Sequence, residues 1–271
     1  MTTSSTLTKI SLGVVVLSLF AVTGAFLFAP KVQAVTALSA IESGDLIRGT
    51  SLSAVYYLGA DGLRYVFTTD RSYFTWYSNF DTVKTLSDAD LSPLQLGGNV
   101  TYKPGVKMVK INTDPRTYAV AAGGTLRHVG SEALAVSLYG SSWNTKIDDI
   151  ADGFFSNYTI GDAIASASDY STTGESAAAS SINVDKGLQA PEEIEITSTG
   201  YDPLDVTVEA GQSVRFTNND DEKHTVTGDD LSWGSGTMQA GGSFIKTFDE
   251  AGTYPFFDSY DSSNTGAVYV E

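Results

Sequence analysis

Two histidines and no cysteine bound the chemistry open to this chain of 271 residues. His128 and His224 fall in separate regions, so a nucleophile with its own histidine and carboxylate is not expected. The lack of cysteine excludes disulfides, thiolate-bound zinc, iron–sulfur clusters and thiol nucleophiles together. Carboxylates are abundant, but they are expected in exposed polar loops, where nothing predicts a pKa raised towards acid–base work. No P-loop and no dinucleotide fingerprint occurs. The net charge of −16 argues against nucleic acid, because phosphate binding needs clustered Lys and Arg. It also disfavours docking on anionic lipid. The charge is uneven: residues 186–271 hold 4 basic and 16 acidic side chains, whereas residues 1–185 hold 12 and 16. That excess reads first as solubility outside the cell. Asn99-Val100-Thr101 and Asn157-Tyr158-Thr159 fit the N-glycosylation pattern.

The elements that must position these groups begin with a targeting segment. Lys9 precedes an apolar run from Ile10 to Ala29, Pro30 breaks it, and Val32-Gln33-Ala34 offers small residues for a signal peptidase. Residues 1–34 therefore read as a signal peptide, with an uncleaved N-terminal membrane anchor as the alternative. Both place the rest of the chain outside the cytoplasm. Residues 165–186 are rich in Ser, Ala and Thr, which predicts a flexible linker.

Between these lies a β-rich module over residues 40–164. Ala54 to Phe67 returns as Arg116 to Val129, each a hairpin with a Gly-containing turn followed by a short helical pattern. Each copy closes on a Leu/Ile-Gly pair, Leu96-Gly97 and Ile160-Gly161. The spacing predicts a duplicated unit, about 45–100 and 106–164, packed face to face because one copy alone has little core. His128 matches Tyr65 in this alignment. The module resembles short repeats of bacterial surface and envelope proteins. Its aromatics Tyr56, Tyr57, Tyr65, Phe67, Tyr73, Phe74, Trp76 and Tyr77 admit a carbohydrate-binding reading, against the plainer one that they form core.

From Ile194 onward short alternating strands with Gly turns predict a β-sandwich over residues 187–271. Here the residues carry a resemblance. Val206–Asp220 (VTVEAGQSVRFTNND), His224-Thr225-Val226, Thr237–Phe248 (TMQAGGSFIKTF), Gly252–Phe257 (GTYPFF) and the closing Gly266–Val270 resemble a small cupredoxin of the plastocyanin and amicyanin type. The resemblance implies a Greek-key sandwich. It also implies a copper site made by a His after the Asn-rich turn and by Cys, His and Met on one C-terminal loop. That loop here is Tyr254 to Gly266. The alignment puts His224 at the first ligand position, Asp258 at the Cys position, Asp261 at the second His position and Asn264 at the Met position. Blue copper needs a thiolate in a His₂Cys set, whereas Asp258, Asp261 and Asn264 are hard oxygen donors suited to Ca²⁺, Mg²⁺ or Mn²⁺. Three readings stand: a metal site lost, a weak divalent-cation site, or a Cu(II) site without thiolate. The acidic residues Asp220, Asp221, Glu222, Asp229 and Asp230 are expected at the same end.

The expectation is thus a mainly β chain that is exported, in the cell envelope or secreted. Its role is structural or in interaction, not enzymatic, with no cofactor. The alternatives are a copper-binding or electron-transfer protein, or a carbohydrate-binding surface protein. Partners are an unidentified protein or glycan at the cell surface, with membrane contact only through an uncleaved N-terminal segment.

Overall fold

The computed structural model describes residues 34–271; residues 1–33 of the expected targeting segment lie outside the described residues. Among the described residues no helix is long and apolar enough to cross a membrane. The fold is mainly β. The first part of the chain forms β1 (Leu46–Arg48), β2 (Tyr56–Leu58), β3 (Arg64–Phe67), α1 (Asp70–Trp76), β4 (Val83–Thr85), α2 (Asp88–Leu91) and β5 (Leu96–Val100). It continues as β6 (Met108–Ile111), β7 (Asp114–Ala121), β8 (Thr125–His128), α3 (Glu132–Tyr139), β9 (Ile147–Asp149), α4 (Asp152–Phe155) and β10 (Thr159–Ile160). The strands make two five-stranded sheets, ordered β4-β1-β2-β3-β5 and β9-β6-β7-β8-β10. In both, the central hairpins are antiparallel and the outer strands add in parallel. Each long helix starts on a hydroxyl cap that accepts from the third helical amide, Thr69 for α1 and Ser131 for α3, as capping preference dictates.

The two sheets do not share one apolar interior, contrary to the expected face-to-face packing. Neighbouring residues that point to opposite faces are both buried, Leu46 with Ile47 and Met108 with Val109. Each sheet therefore has an apolar cluster on either face, filled from its own helices and, in the first sheet, also by Ile182 and Ile245 from later in the chain. The junction between them is hydrogen-bonded instead. Trp76 Nε1 donates to the Thr101 carbonyl at 2.9 Å, and the Lys103 amide to Thr75 Oγ1 at 2.9 Å. The register also corrects the match of His128. Tyr118 pairs with His128 as Tyr56 pairs with Val66, so His128 stands at the Val66 position and not at that of Tyr65. These paired residues are ten positions apart in both hairpins, so one offset of 62 residues holds across the turn, and a match taken one residue later would put the side chain on the other face.

Residues 165–186, expected to be a flexible linker, are folded. They form α5 (Thr172–Ala178) and α6 (Ile182–Lys186), capped by Ser171 and Ser181. Tyr170, Ala179 and Ile182 are buried. Tyr170 donates to the Val120 carbonyl at 2.6 Å, and Ile182 enters the core of the first sheet. Asn183 Oδ1 accepts from the Ala60 amide at 2.9 Å, and Asp185 Oδ1 from the Gly123 amide at 3.0 Å. Helix α6 thus holds the turns of both central hairpins. The few large side chains in this stretch are enough because each lands in an existing core.

The remainder is a sandwich of β11 (Glu192–Thr197), β12 (Gly200–Asp202), β13 (Asp205–Val208), β14 (Gln212–Asn218), β15 (Thr227–Gly228), β16 (Ser243–Phe248), β17 (Gly252–Phe257) and β18 (Thr265–Val270). Its sheets are β12-β11-β14-β16 and β13-β18-β17-β15. The alternation of Ile194, Ile196, Val208, Val214, Phe216, Phe248, Phe256, Val268 and Val270 delivers them to one core, with Val206 and Tyr254 at its margin. Burying such side chains contributes about 1.5–3 kcal/mol each, before the opposing chain entropy. At the edge strand β16, Gln95 from the first sheet pairs its side-chain amide with the backbone of Ile245. Nε2 donates to the carbonyl at 3.0 Å and Oε1 accepts from the amide at 2.6 Å, which satisfies one stretch of open edge.

Candidate functional site

The loops at one end of the sandwich are set by Asn218, a fully buried residue at the end of β14. Its Oδ1 accepts from the Asp220 amide at 3.0 Å, and its Nδ2 donates to the carbonyls of Glu222 at 2.8 Å and Met238 at 3.0 Å. This bends residues 218–224 into a tight loop. His224 then enters a short backbone pairing with Met238, which aims its ring at the loop after β17.

Asp258 meets it there. Asp258 is wholly buried, and a buried carboxylate persists only if its lone pairs are used. They are. Oδ2 faces His224 Nδ1 at 2.7 Å. Oδ1 accepts from the amides of Thr225 at 2.9 Å and Tyr260 at 3.0 Å, and from Thr225 Oγ1 at 3.2 Å. The other ring nitrogen of His224, Nε2, lies 3.1 Å from Asp220 Oδ2. The imidazole is therefore clamped between two carboxylates. Burial is the largest influence on His224 and pulls its pKa down, but the hydrogen bonds and charges of Asp258 and Asp220 together outweigh it and raise the pKa above the ordinary 6.5. The same contact with His224, followed by the Asp221 amide, holds Asp220 below the usual carboxylate range.

Of the other aligned positions, Asp261 and Asn264 lie on the same loop but do not join this pair. The Asn264 carbonyl accepts from the Asp258 amide at 3.0 Å, and the Asn264 amide donates to the Asp261 carbonyl at 2.9 Å. The Asn264 side chain turns away, its Oδ1 accepting from the Tyr201 amide at 3.1 Å. Asp261 Oδ1 accepts from the Ser263 hydroxyl at 2.6 Å and amide at 3.0 Å, which keeps Asp261 below its ordinary pKa. His224, Asp261 and Asn264 line one polar cavity of about 290 Å³. Asp229 and Asp230 have no hydrogen bond to this cluster; Asp230 binds Ser232 instead. Sequence reasoning did not single out Asn218 or Thr225.

The arrangement can be tested against copper. A blue centre needs a thiolate and two imidazoles. The chain offers one imidazole here and no sulfur from cysteine, and both nitrogens of that imidazole already face carboxylates. Among the described residues no group of three or more His, Cys, Asp or Glu side chains is arranged to hold a metal ion. This donor set does not fit a blue copper ion. The aromatics of the first sheet, considered above for sugars, are mostly core: Tyr57, Tyr65, Phe67 and Tyr73 are buried, and of the eight only Phe74 is exposed.

Comparison with known proteins agrees on the fold of this part. A family model described as a cupredoxin-like domain matches residues 173–270. No curated protein sequence matches the chain. Among solved structures, a purple cupredoxin from Nitrosopumilus maritimus is 24% identical, covering 30% of this chain and 99% of its own, with a TM-score of 0.28. A copper(I) form of an amicyanin variant is 24% identical, covering 30% and 82%, with a TM-score of 0.29. A copper-containing nitrite reductase from Thermus scotoductus SA-01 is 19% identical, covering 30% of this chain and 22% of its own, with a TM-score of 0.28. Residues 173–270, with their two four-stranded sheets and closing parallel pair of β13 and β18, are a cupredoxin-like domain.

Proposed function

We propose that the chain is an exported, non-enzymatic structural or interaction protein of the cell envelope or its surroundings. In it, an internal imidazole–carboxylate pair takes the place of copper in the cupredoxin-like domain. The observation that carries this reading is the contact of Asp258, at the position aligned with the copper-binding Cys, with His224 Nδ1 at 2.7 Å. A carboxylate there cannot supply the soft bond on which blue-copper colour and fast electron transfer depend. It can neutralise an imidazolium, and so hold the end of the sandwich together without metal. The shared strand order of the two five-stranded sheets supports a duplicated unit in the N-terminal part. The apolar run and small-residue site before Ala34 support export. Copper(II) titration of the full chain tests the central point. The expected result is no intense visible band, and Asp258→Cys combined with Asp261→His is expected to generate one. An intense band in the unaltered protein overturns the reading.

A further inference from the structure

The two five-stranded sheets share strand order but fill the space beside the long helix differently. In the first, Tyr73 stands four residues after the cap Thr69 and is almost fully buried. It stacks on Phe80 at 4.4 Å between centroids and meets Phe67 edge-on at 5.0 Å. In the second, the residue four after the cap Ser131 is Ala135, and Val129 stands two before the cap, as Phe67 does in the first. Two rings have been exchanged for small side chains. Trp143, on the turn after α3, packs beside this cluster but does not fill the space. What remains is a cavity of about 300 Å³ open to solvent, floored by Met108, Val129 and Ala135 and walled by Trp143.

The rim is polar and largely uncommitted. Arg116 is held by Asp114 through paired contacts, so its charge is spent locally. The imidazole of His128, the indole Nε1–H of Trp143 and the carboxylate of Glu132 have no hydrogen-bonding partner among the described residues. An aromatic wall, an apolar floor and a few free polar groups are the usual make-up of a small-ligand site, and the volume lies at the small end of the usual range, about 300–1,000 Å³.

We infer that this cavity binds a single neutral saccharide ring. One face of such a ring is apolar C–H and suits the indole of Trp143. Its edge is hydroxyl and can donate to Glu132 and exchange hydrogen bonds with His128. An apolar peptide side chain would leave those two groups without partners, at a cost of about 1–3 kcal/mol for each one buried. An anion would meet the free charge of Glu132 and an arginine already neutralised by Asp114. The site is independent of the His224 end of the sandwich.

The test uses the full chain and the methyl glycosides of glucose, galactose and N-acetylglucosamine, read by saturation-transfer NMR and by tryptophan fluorescence. At least one glycoside is expected to bind saturably in the millimolar range. Ala135→Tyr, which restores the ring of the first sheet, is expected to abolish binding, and Glu132→Gln to weaken it severalfold. Binding of none of the three overturns the inference, as does binding of N-acetyl-leucinamide in their place. Should Ala135→Tyr lose its fold by circular dichroism, Glu132→Gln and His128→Asn decide, since they change rim groups only. Unaltered glycoside affinity in both overturns the site.

Discussion

Replacing Asp258 by asparagine removes one charge from the core of the cupredoxin-like domain and almost preserves the shape. Asn keeps an oxygen for the amides of Thr225 and Tyr260, which Asp258 Oδ1 accepts at 2.9 and 3.0 Å. What changes is the side facing His224 Nδ1, now at 2.7 Å from Oδ2. There an NH₂ group would oppose a protonated ring, donor against donor. Loss of one hydrogen bond between charged groups costs about 1.5–3 kcal/mol, so we expect about 2 kcal/mol in acid. The loss must depend on pH. The folded pKa of His224 lies above 6.5, so the pairing stabilises the fold fully below 6.5 and its contribution fades as pH rises through the folded value. Above that value the neutral ring can accept from the Asn NH₂, and the penalty shrinks below about 1 kcal/mol. Hydrogen exchange of the β14 and β17 amides, measured on either side of the His224 titration for both proteins, reads this locally. An equal loss at both pH values, or a His224 midpoint by NMR at or below 6.5 in the unaltered protein, would refute the reasoning.

Other outcomes follow from packing. Gln95→Ala removes both bonds to Ile245; a loss of about 1–3 kcal/mol should appear as faster exchange confined to β16 and its neighbours. Limited proteolysis should spare residues 165–186, and Ile182→Ala, which empties a side chain from the first core at about 2–5 kcal/mol, should make that stretch the first site of cleavage. Gly266→Ala would set a Cβ 2.1 Å from the Leu204 carbonyl and 2.6 Å from the Phe256 ring; thermal unfolding of the sandwich should shift downward by several degrees, and an unchanged transition would mean that β18 sits differently.

The sandwich was the most legible part of the chain. Most of its strands alternate, so Ile194, Val214, Phe216 and Val268 declare one face without any tertiary information. The meeting of His224 with Asp258 was reachable only through the family alignment, since 34 positions separate them. Asn218 and Thr225 stand inside the matching segments, but nothing there marks their roles, because a side chain bound to nearby backbone leaves no periodicity. Residues 165–186 misled for a physical reason. Ser171 and Ser181 are helix caps, yet in composition they count as linker residues, and Tyr170 and Ile182 each act alone, below the reach of any pattern. The paired apolar neighbours Leu46-Ile47 and Met108-Val109 mark strands covered on both faces and so argue against one shared interior.

Helix α6 bears on whether the sandwich can be moved to another protein. A graft cut after Gly187 would carry away every strand of the sandwich but leave Ile182, Asn183 and Asp185 behind with the donor. A graft cut ahead of Ser171 would take them along and unlatch both hairpin turns of the donor, at Ala60 and Gly123. The first cut keeps both turns latched, but it takes Ile245 out of the first core and leaves Gln95 without its backbone partner. Shuffling of this sandwich between chains is therefore less damaging to the donor when the boundary falls after α6, and a recipient has to cover the edge strand β16 that Gln95 covers here.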